Sequence, residues 1–397
     1  RGGSADGRPS AGRVRAAAGR APVRPAPERP AADGDGPAPD EPRIQYLTSL
    51  STSDDIEPRP SWFLTFLTGY KGESKSILKP YGVAVANDRI FVCDTALNCL
   101  CVFDLERKSF SYLSPQGPGA LSKPLNLDID AEGNIYVADS VRCRVVKLDL
   151  QGKYLSSVAG GENLRPVDVV VRGGKGYVAD TKRQQVHVFD ASSSKKLFSF
   201  PAIDGTNRTA PAAIATNSEN SVVLPASTNV VAGDSNAVSP PGEVPPQTAS
   251  SSVETGKTIN AEAKLYMPTN IEVDDQGNVY VTDASAFRVQ VYDSKGIYIK
   301  SIGTHGLGFA EFARPKGVAI DRAGRLYVVD AAEQVVQVFD SRTGALLMYF
   351  GDPDRDGGSL SLPAGIHVDY GTVRHFQKYA DPGFEIEYLV FVTCQYP

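Results

Sequence analysis

The feature that most constrains the fold is a sequence unit of about 45 residues that recurs along most of the chain. In its clearest copy, Arg314 to Asp340, apolar residues alternate with other residues over three short runs, the period of β-strands rather than helices. Asp321 to Gly324 joins two of these runs as a tight hairpin, in which Gly324 can adopt a left-handed backbone. A fourth run follows at Ala345 to Phe350. Each unit therefore predicts one four-stranded antiparallel sheet.

Two residue types mark the repeats. Each copy opens with a proline, and these are Pro80, Pro124, Pro166, Pro268, Pro315 and Pro363. In all copies but the last an aspartate closes the second strand, at Asp94, Asp139, Asp180, Asp283 and Asp330. A carboxylate there can accept hydrogen bonds from backbone N–H groups of the adjoining turn. Six such sheets predict an all-β, six-bladed β-propeller.

The repeats divide the chain into regions. Residues 1–42 are rich in Arg, Pro and Ala and predict a disordered tail, because they hold few large apolar side chains. Residues 43–397 predict the propeller, with a disordered insertion at 201–263 between blades three and four. Arg43 to Leu50 is similar to the fourth strands, so we expect it to close the last blade. The sequence stops at Pro397, where a third strand should begin, which predicts either a short final blade or missing C-terminal residues.

Composition limits the function classes. The net charge of −5 argues against a nucleic-acid footprint. There is no apolar run long enough to cross a membrane, and the five cysteines do not form a disulfide pattern. The sequence begins with Arg1 rather than Met, which is compatible with a removed export signal.

Candidate binding residues lie on the first strands, which surround the central channel of a propeller. Residues two and four positions after each opening proline share a strand face. The polar residues on that face are Asn126, Asp128, Asp168, Asn270, Glu272 and His367. Their oxygens could hold a Ca²⁺ ion on the axis. The favoured interpretation is a water-filled polar channel with no resident cofactor, and no residue is assigned a catalytic role.

One segment, which ends Gly-Asn-Val-Tyr-Val-Thr-Asp-Ala-Ser-Ala-Phe-Arg-Val-Gln-Val-Tyr-Asp at Asp293, resembles the NHL-repeat family of β-propellers. Pro42 to Leu47 together with Tyr379 to Thr393 is similar to a group of exported bacterial six-bladed propellers, often encoded beside multihaem cytochromes. The resemblance implies a six-bladed fold and an extracytoplasmic binding or scaffolding role. It also implies a protein partner, with a multihaem cytochrome as the leading example.

Two alternatives stay open. Propeller lyases and lactonases use a metal at the channel mouth, and such a site would centre on five of the six channel residues, Asn126, Asp168, Asn270, Glu272 and His367. Zinc catalysis by three histidines is disfavoured, because the positions directly after the opening prolines hold none; they are Tyr81, Leu125, Val167, Thr269, Lys316 and Ala364. RNA binding, as in some NHL proteins, is the second alternative.

Overall fold

The computed structural model describes residues 12–19, 44–58, 74–161, 163–202, 261–351 and 358–396. It confirms the six-bladed propeller, since six four-stranded antiparallel sheets form a closed ring around the inner strands. Every inner strand begins at one of the six prolines. These strands are β3 (Pro80–Ala86), β7 (Pro124–Ile129), β11 (Pro166–Arg172), β15 (Pro268–Val273), β21 (Pro315–Ile320) and β25 (Pro363–Asp369).

The remaining strands follow outward in each blade. The second strands are β4 (Arg89–Asp94), β8 (Ile135–Asp139), β12 (Lys175–Asp180), β16 (Val279–Asp283), β22 (Arg325–Asp330) and β26 (Tyr388–Cys394). The third strands of blades one to five are β5 (Cys99–Asp104), β9 (Arg144–Leu148), β13 (Gln185–Asp190), β17 (Arg288–Tyr292) and β23 (Val335–Asp340). Their fourth strands are β6 (Ser109–Leu113), β10 (Tyr154–Gly160), β14 (Lys196–Phe200), β18 (Tyr298–Ile302) and β24 (Leu346–Phe350). A short pair, β19 (Thr304–His305) and β20 (Glu311–Phe312), precedes blade five, and helix α1 (Val373–Phe376) lies in the sixth blade's first hairpin.

The sixth blade joins both ends of the described chain. Its third strand is β1 (Arg13–Gly19) and its fourth is β2 (Ile44–Leu50), in the order β2-β1-β26-β25. The expected closure by Arg43 to Leu50 is therefore confirmed. The expectation of a short final blade is wrong, because β1 pairs antiparallel with β26 from Arg13 opposite Cys394 to Gly19 opposite Tyr388.

The prediction that residues 1–42 are a disordered tail is wrong for residues 13–19. Val14, Ala16 and Ala18 are at most 1% exposed and belong to the core between blades six and one. Their alternation is that of a strand with one buried face. Small side chains are required at Gly19 in particular, where a Cβ would overlap the ring of Tyr388. The disorder prediction relied on the small number of large apolar residues. It fails for β1 because this strand fills a narrow space that only small side chains fit.

The geometry that recurs in blades one to five comes from the aspartate that ends the second strand. In blade one, Asp94 Oδ2 accepts the N–H groups of Leu78 (2.6 Å) and Lys79 (3.1 Å), and its Oδ1 accepts those of Ala96 (2.9 Å) and Leu97 (3.0 Å). The predicted role of these carboxylates is confirmed. Cys394 takes the same place opposite Pro363 in the sixth blade.

Several predictions fall partly outside the described residues. Residues 1–11 and 20–42 of the predicted tail and residues 203–260 of the predicted insertion lie there, so disorder in these segments stays a prediction. In the described part of the chain, no helix is long and apolar enough to span a membrane. All five cysteines are free thiols.

Candidate functional site

The inner ring has two different halves. In blades five, six and one the residue two after the proline is glycine, and the next blade's backbone packs directly against it. A Cβ at Gly317 would lie 2.7 Å from Ala364 O, and one at Gly82 would lie 2.6 Å from Asn126 Cα. In blades two, three and four the same position carries a polar side chain that hydrogen-bonds to an adjacent blade instead. This half contains most of the predicted channel residues.

The blades of the polar half are bridged by hydrogen bonds from these side chains to the backbone or to a side chain of the adjacent blade. Asn126 donates to Val167 O at 3.0 Å. Asp168 accepts the N–H of Ile271 at 3.0 Å and the side-chain amide of Asn270 at 3.3 Å. The oxygen of the Asn270 amide is buried and has no hydrogen-bond partner among the residues that the structure describes. These side chains therefore fasten adjacent inner strands, a structural role that their position alone did not reveal.

A second layer is organised by Arg172, which the sequence analysis did not select. Its guanidinium lies 2.8 Å from Asp128 Oδ2 and 3.5 Å from Glu272 Oε1, so it links blades two, three and four. Asp128 also accepts the Val171 N–H at 2.7 Å. Alternate residues of a strand share a face, so Arg172 lies on the same face as Asp168, four positions further along the strand. Applying the rule to the whole strand would have identified Arg172 from the sequence.

Burial and the charge of Arg172 together determine the protonation of the acidic groups in this layer. Burial raises the pKa of Glu272 to about 7, with Asp128 adding to the rise and Arg172 opposing it. Burial likewise raises the pKa of Asp168, against the N–H groups of Ile271 and Val169, which lower it. His367 makes no hydrogen bond within the described residues. Burial lowers its pKa, and Arg172 acts in the same direction, while Asp128 and Asp369 oppose the change.

This donor set does not fit a calcium site as arranged. Ca²⁺ takes six to eight oxygen ligands, but Asp128, Asp168 and Glu272 already accept backbone N–H groups. Arg172 also supplies the positive charge that a metal would bring. The calcium ion stays an untested prediction, and binding it would require Arg172 to move.

The four histidines lie in four separate environments. His187 bonds Asp180 at 3.0 Å and His375 bonds Asp88 at 2.9 Å, whereas the ring centre of His305 lies 4.2 Å from that of Phe287. Asp88, Glu106 and His375 are close enough to share a metal ion. However, Arg374 already lies 2.6 Å from Asp88 and 3.6 Å from Glu106. This cluster therefore forms a salt-bridged contact between blades six and one.

An exposed apolar feature lies on the segment between blades four and five. We call residues Thr304 to Phe312 the blade-five loop. Its Leu307 and Phe309 are each 73% exposed, and the Phe309 ring centre lies 5.4 Å from that of Tyr349. Single exposed apolar residues are common, but adjacent large ones on one surface are typical of interaction sites.

The loop is held firmly to its blade. Gln337 accepts the Ala310 N–H at 3.0 Å and donates to Glu311 O at 2.7 Å. Glu311 accepts the Gly308 N–H at 2.8 Å, and Phe312 is fully buried. The two exposed side chains are thus presented from an ordered support, which lowers the entropy cost of binding.

The match to a protein-family model agrees with the propeller fold. Residues 260–348 match the DUF5128 family, described as a 6-bladed beta-propeller. A search of curated proteins finds no match. Among solved structures, the chain is similar to virginiamycin B lyase from Staphylococcus aureus, with 10% identity, 73% of this chain and 74% of that chain covered, and a TM-score of 0.45. It is also similar to a chain of a nidogen/laminin complex, with 13% identity, 85% and 92% covered, and a TM-score of 0.46.

Proposed function

We propose that this protein is a non-catalytic binding propeller that docks a protein partner through the blade-five loop. The observation that carries the proposal is the pair Leu307 and Phe309, each 73% exposed on an anchored loop. Aromatic and large aliphatic side chains of this kind form the energetic centres of protein interfaces. Phe309 and Tyr349 together offer the amphipathic aromatic surface on which a partner can pack.

The channel chemistry supports a scaffolding role over catalysis. A general acid or base needs a free carboxylate or imidazole facing a substrate. Asp128 and Asp168 instead accept N–H groups of the neighbouring inner strands, and Glu272 accepts the N–H of Val273 in its own strand. Arg172 forms ion pairs with Asp128 and Glu272. These hydrogen bonds and ion pairs hold the inner strands of blades two to four together.

The partner class and location rest on the family resemblance. We propose an extracytoplasmic protein of the NHL type whose partner is a multihaem cytochrome. The net charge of −5 supports a protein rather than an RNA partner, because RNA binding relies on many phosphate contacts from cationic groups.

A site-specific photo-crosslinking experiment tests the docking surface. A benzoylphenylalanine replaces Phe309 in one copy of the full chain and Leu197 in a matched control, which lies on the outer strand of blade three and is 49% exposed. Both are irradiated in cells of the source organism. We expect one discrete adduct at position 309, lost when Leu307 is also changed to Ser, and none at position 197. Haem staining and mass spectrometry of the adduct identify the partner.

Other outcomes would redirect the proposal. Equal crosslinking at the two positions, or none at either, would refute docking through this loop. An adduct without haem would retain the docking surface and reject the cytochrome.

Elemental analysis of the purified protein tests whether the channel binds a metal ion. One equivalent of Ca²⁺ or Zn²⁺, retained through dialysis and lost in Glu272→Gln, would favour the lyase or lactonase alternative.

A further inference from the structure

A cavity of about 550 Å³ opens where the channel meets the blade-opening prolines. We call it the proline mouth. Every blade except the third contributes lining residues. Its charged residues are Lys79, Lys123, Arg314 and Lys316, and no carboxylate lines it among the described residues. Such a concentration of one sign is unexpected in a protein whose net charge is −5.

The cations of the proline mouth lack acidic partners. None of the four forms an ion pair with a carboxylate in the parts of the chain that the structure describes. Lys79, Lys123 and Arg314 each directly precede an opening proline, so the repeat itself delivers them to the same end of the channel. Their side chains are exposed to the cavity solvent.

Lys316 is the decisive residue, because it is charged and only 8% exposed. Its Nζ lies 5.2 Å from the ring centre of Tyr81 and has no hydrogen-bond acceptor among the described residues. Lysine is rarely buried without a partner, since removing an ammonium from water is costly. Burial lowers its pKa to about 8, and Arg314 and Lys79 act in the same direction. The site is therefore built with a cation that an incoming anion would stabilise.

The carboxylates at the opening prolines of blades one and five are engaged elsewhere. Asp330, which pairs across from Pro315, accepts the N–H groups of Ala313 at 2.7 Å and Arg314 at 3.0 Å. Asp94 accepts those of Leu78 and Lys79 in the same way. Both side chains are fully buried, so their oxygens bind the loops behind the cavity wall and leave the ammonium of Lys316 uncompensated.

We propose that the proline mouth binds a small organic anion that carries at least two negative charges as carboxylate or phosphate groups. The cavity volume lies in the range of small-molecule sites. Lys316 contacts one charged group from the floor, and Lys79, Lys123 and Arg314 neutralise the remaining charge from the rim. Hydroxyl donors and apolar surface for a carbon skeleton complete the lining, at Thr95, Thr269, Ser285, Leu125, Met267 and Phe287.

Isothermal titration calorimetry of the full chain with citrate and with glucose 6-phosphate tests the site, with glucose as an uncharged control. We expect one equivalent of citrate or glucose 6-phosphate to bind with a Kd below ~1 mM, and the preferred probe distinguishes carboxylate from phosphate recognition. Lys316→Met should weaken binding at least tenfold, and Lys295→Met, a change at an exposed turn lysine, should leave it unchanged. A Lys79→Met and Lys123→Met double variant, altered only at exposed positions, repeats the test without touching a buried side chain.

The pH dependence supplies an independent readout. The titratable or charged groups around Lys316 are Lys79, Lys123 and Arg314 in the cavity, Tyr81 beside its ammonium and, behind the wall, Asp330. Affinity should fall between pH 7 and pH 9 in the wild type as Lys316 loses its proton, and this fall should disappear in Lys316→Met. Absence of binding by both probes, or equal affinity in the wild type and both sets of cavity variants, would overturn the proposal.

Discussion

Replacing Lys316 with Met should make the ligand-free protein more stable. The folded protein lowers the pKa of this ammonium from 10.5 to about 8. Because a shift of one pKa unit corresponds to about 1.4 kcal/mol, keeping Lys316 charged in the folded state costs about 3 kcal/mol at neutral pH. Met retains most of the apolar contact, and losing the cation–π contact with Tyr81 costs about 1 kcal/mol. The expected net gain is about 2 kcal/mol.

The pH at which the gain disappears checks the cause. The unfolded chain binds more protons than the folded one between about pH 8 and 10.5, so wild-type stability rises with pH across that window. Guanidinium chloride unfolding at pH 7 and at pH 10, in chloride buffer free of multivalent anions, measures both proteins. The advantage of Lys316→Met should shrink at pH 10. A variant less stable than the wild type at pH 7, or an advantage that is the same at both pH values, would refute this account of Lys316.

Three further predictions concern the ring and its closure. Gly365→Ala places a Cβ against Tyr81 O and should lower the free energy of unfolding by about 1–3 kcal/mol, whereas Gly371→Ala, which meets only ordinary contacts, should change it by less than about 0.5 kcal/mol in the same chemical denaturation. Ala16→Asp puts a carboxylate in a fully packed strand and should cost about 3 kcal/mol or leave the protein insoluble; normal thermal unfolding would mean that β1 does not occupy the sixth blade. Burial raises the pKa of Glu272 from 4.5 to about 7, so the contribution of Glu272 to the free energy of unfolding declines as pH rises from about 4.5 to 7. Glu272→Gln should therefore gain stability relative to the wild type over that range. A stability difference between the two proteins that stays constant from pH 4 to pH 8 would contradict the raised pKa.

The fold could be predicted because its determinants are local and repeated. A proline that starts each inner strand and an aspartate that caps the next turn are visible in the sequence without knowledge of distant contacts. The role of Asp94 follows from chemistry within one hairpin, and the structure agrees.

The site could be predicted only in part because it depends on how blades meet. Asn126, Asp168 and Asn270 were expected near the channel, but their bonds to neighbouring strands arise only when the ring is closed. Lys79 and Lys316 belong to blades one and five and meet at the same cavity only in the folded molecule. Strand β1 was missed for the same reason, since alanines become informative only when the narrow space they fill is known.

The placement of β1 between β2 and β26 has a consequence for biosynthesis. Strand β1 is made before blades one to five and cannot reach its partner β26 until Tyr388 to Cys394 has left the ribosome. At about 5–20 residues per second, this wait is on the order of tens of seconds. Blades one to five can form as they emerge, while β1 can pair only with β2. A nascent chain released early would lack β26, the strand against which β1 closes the ring.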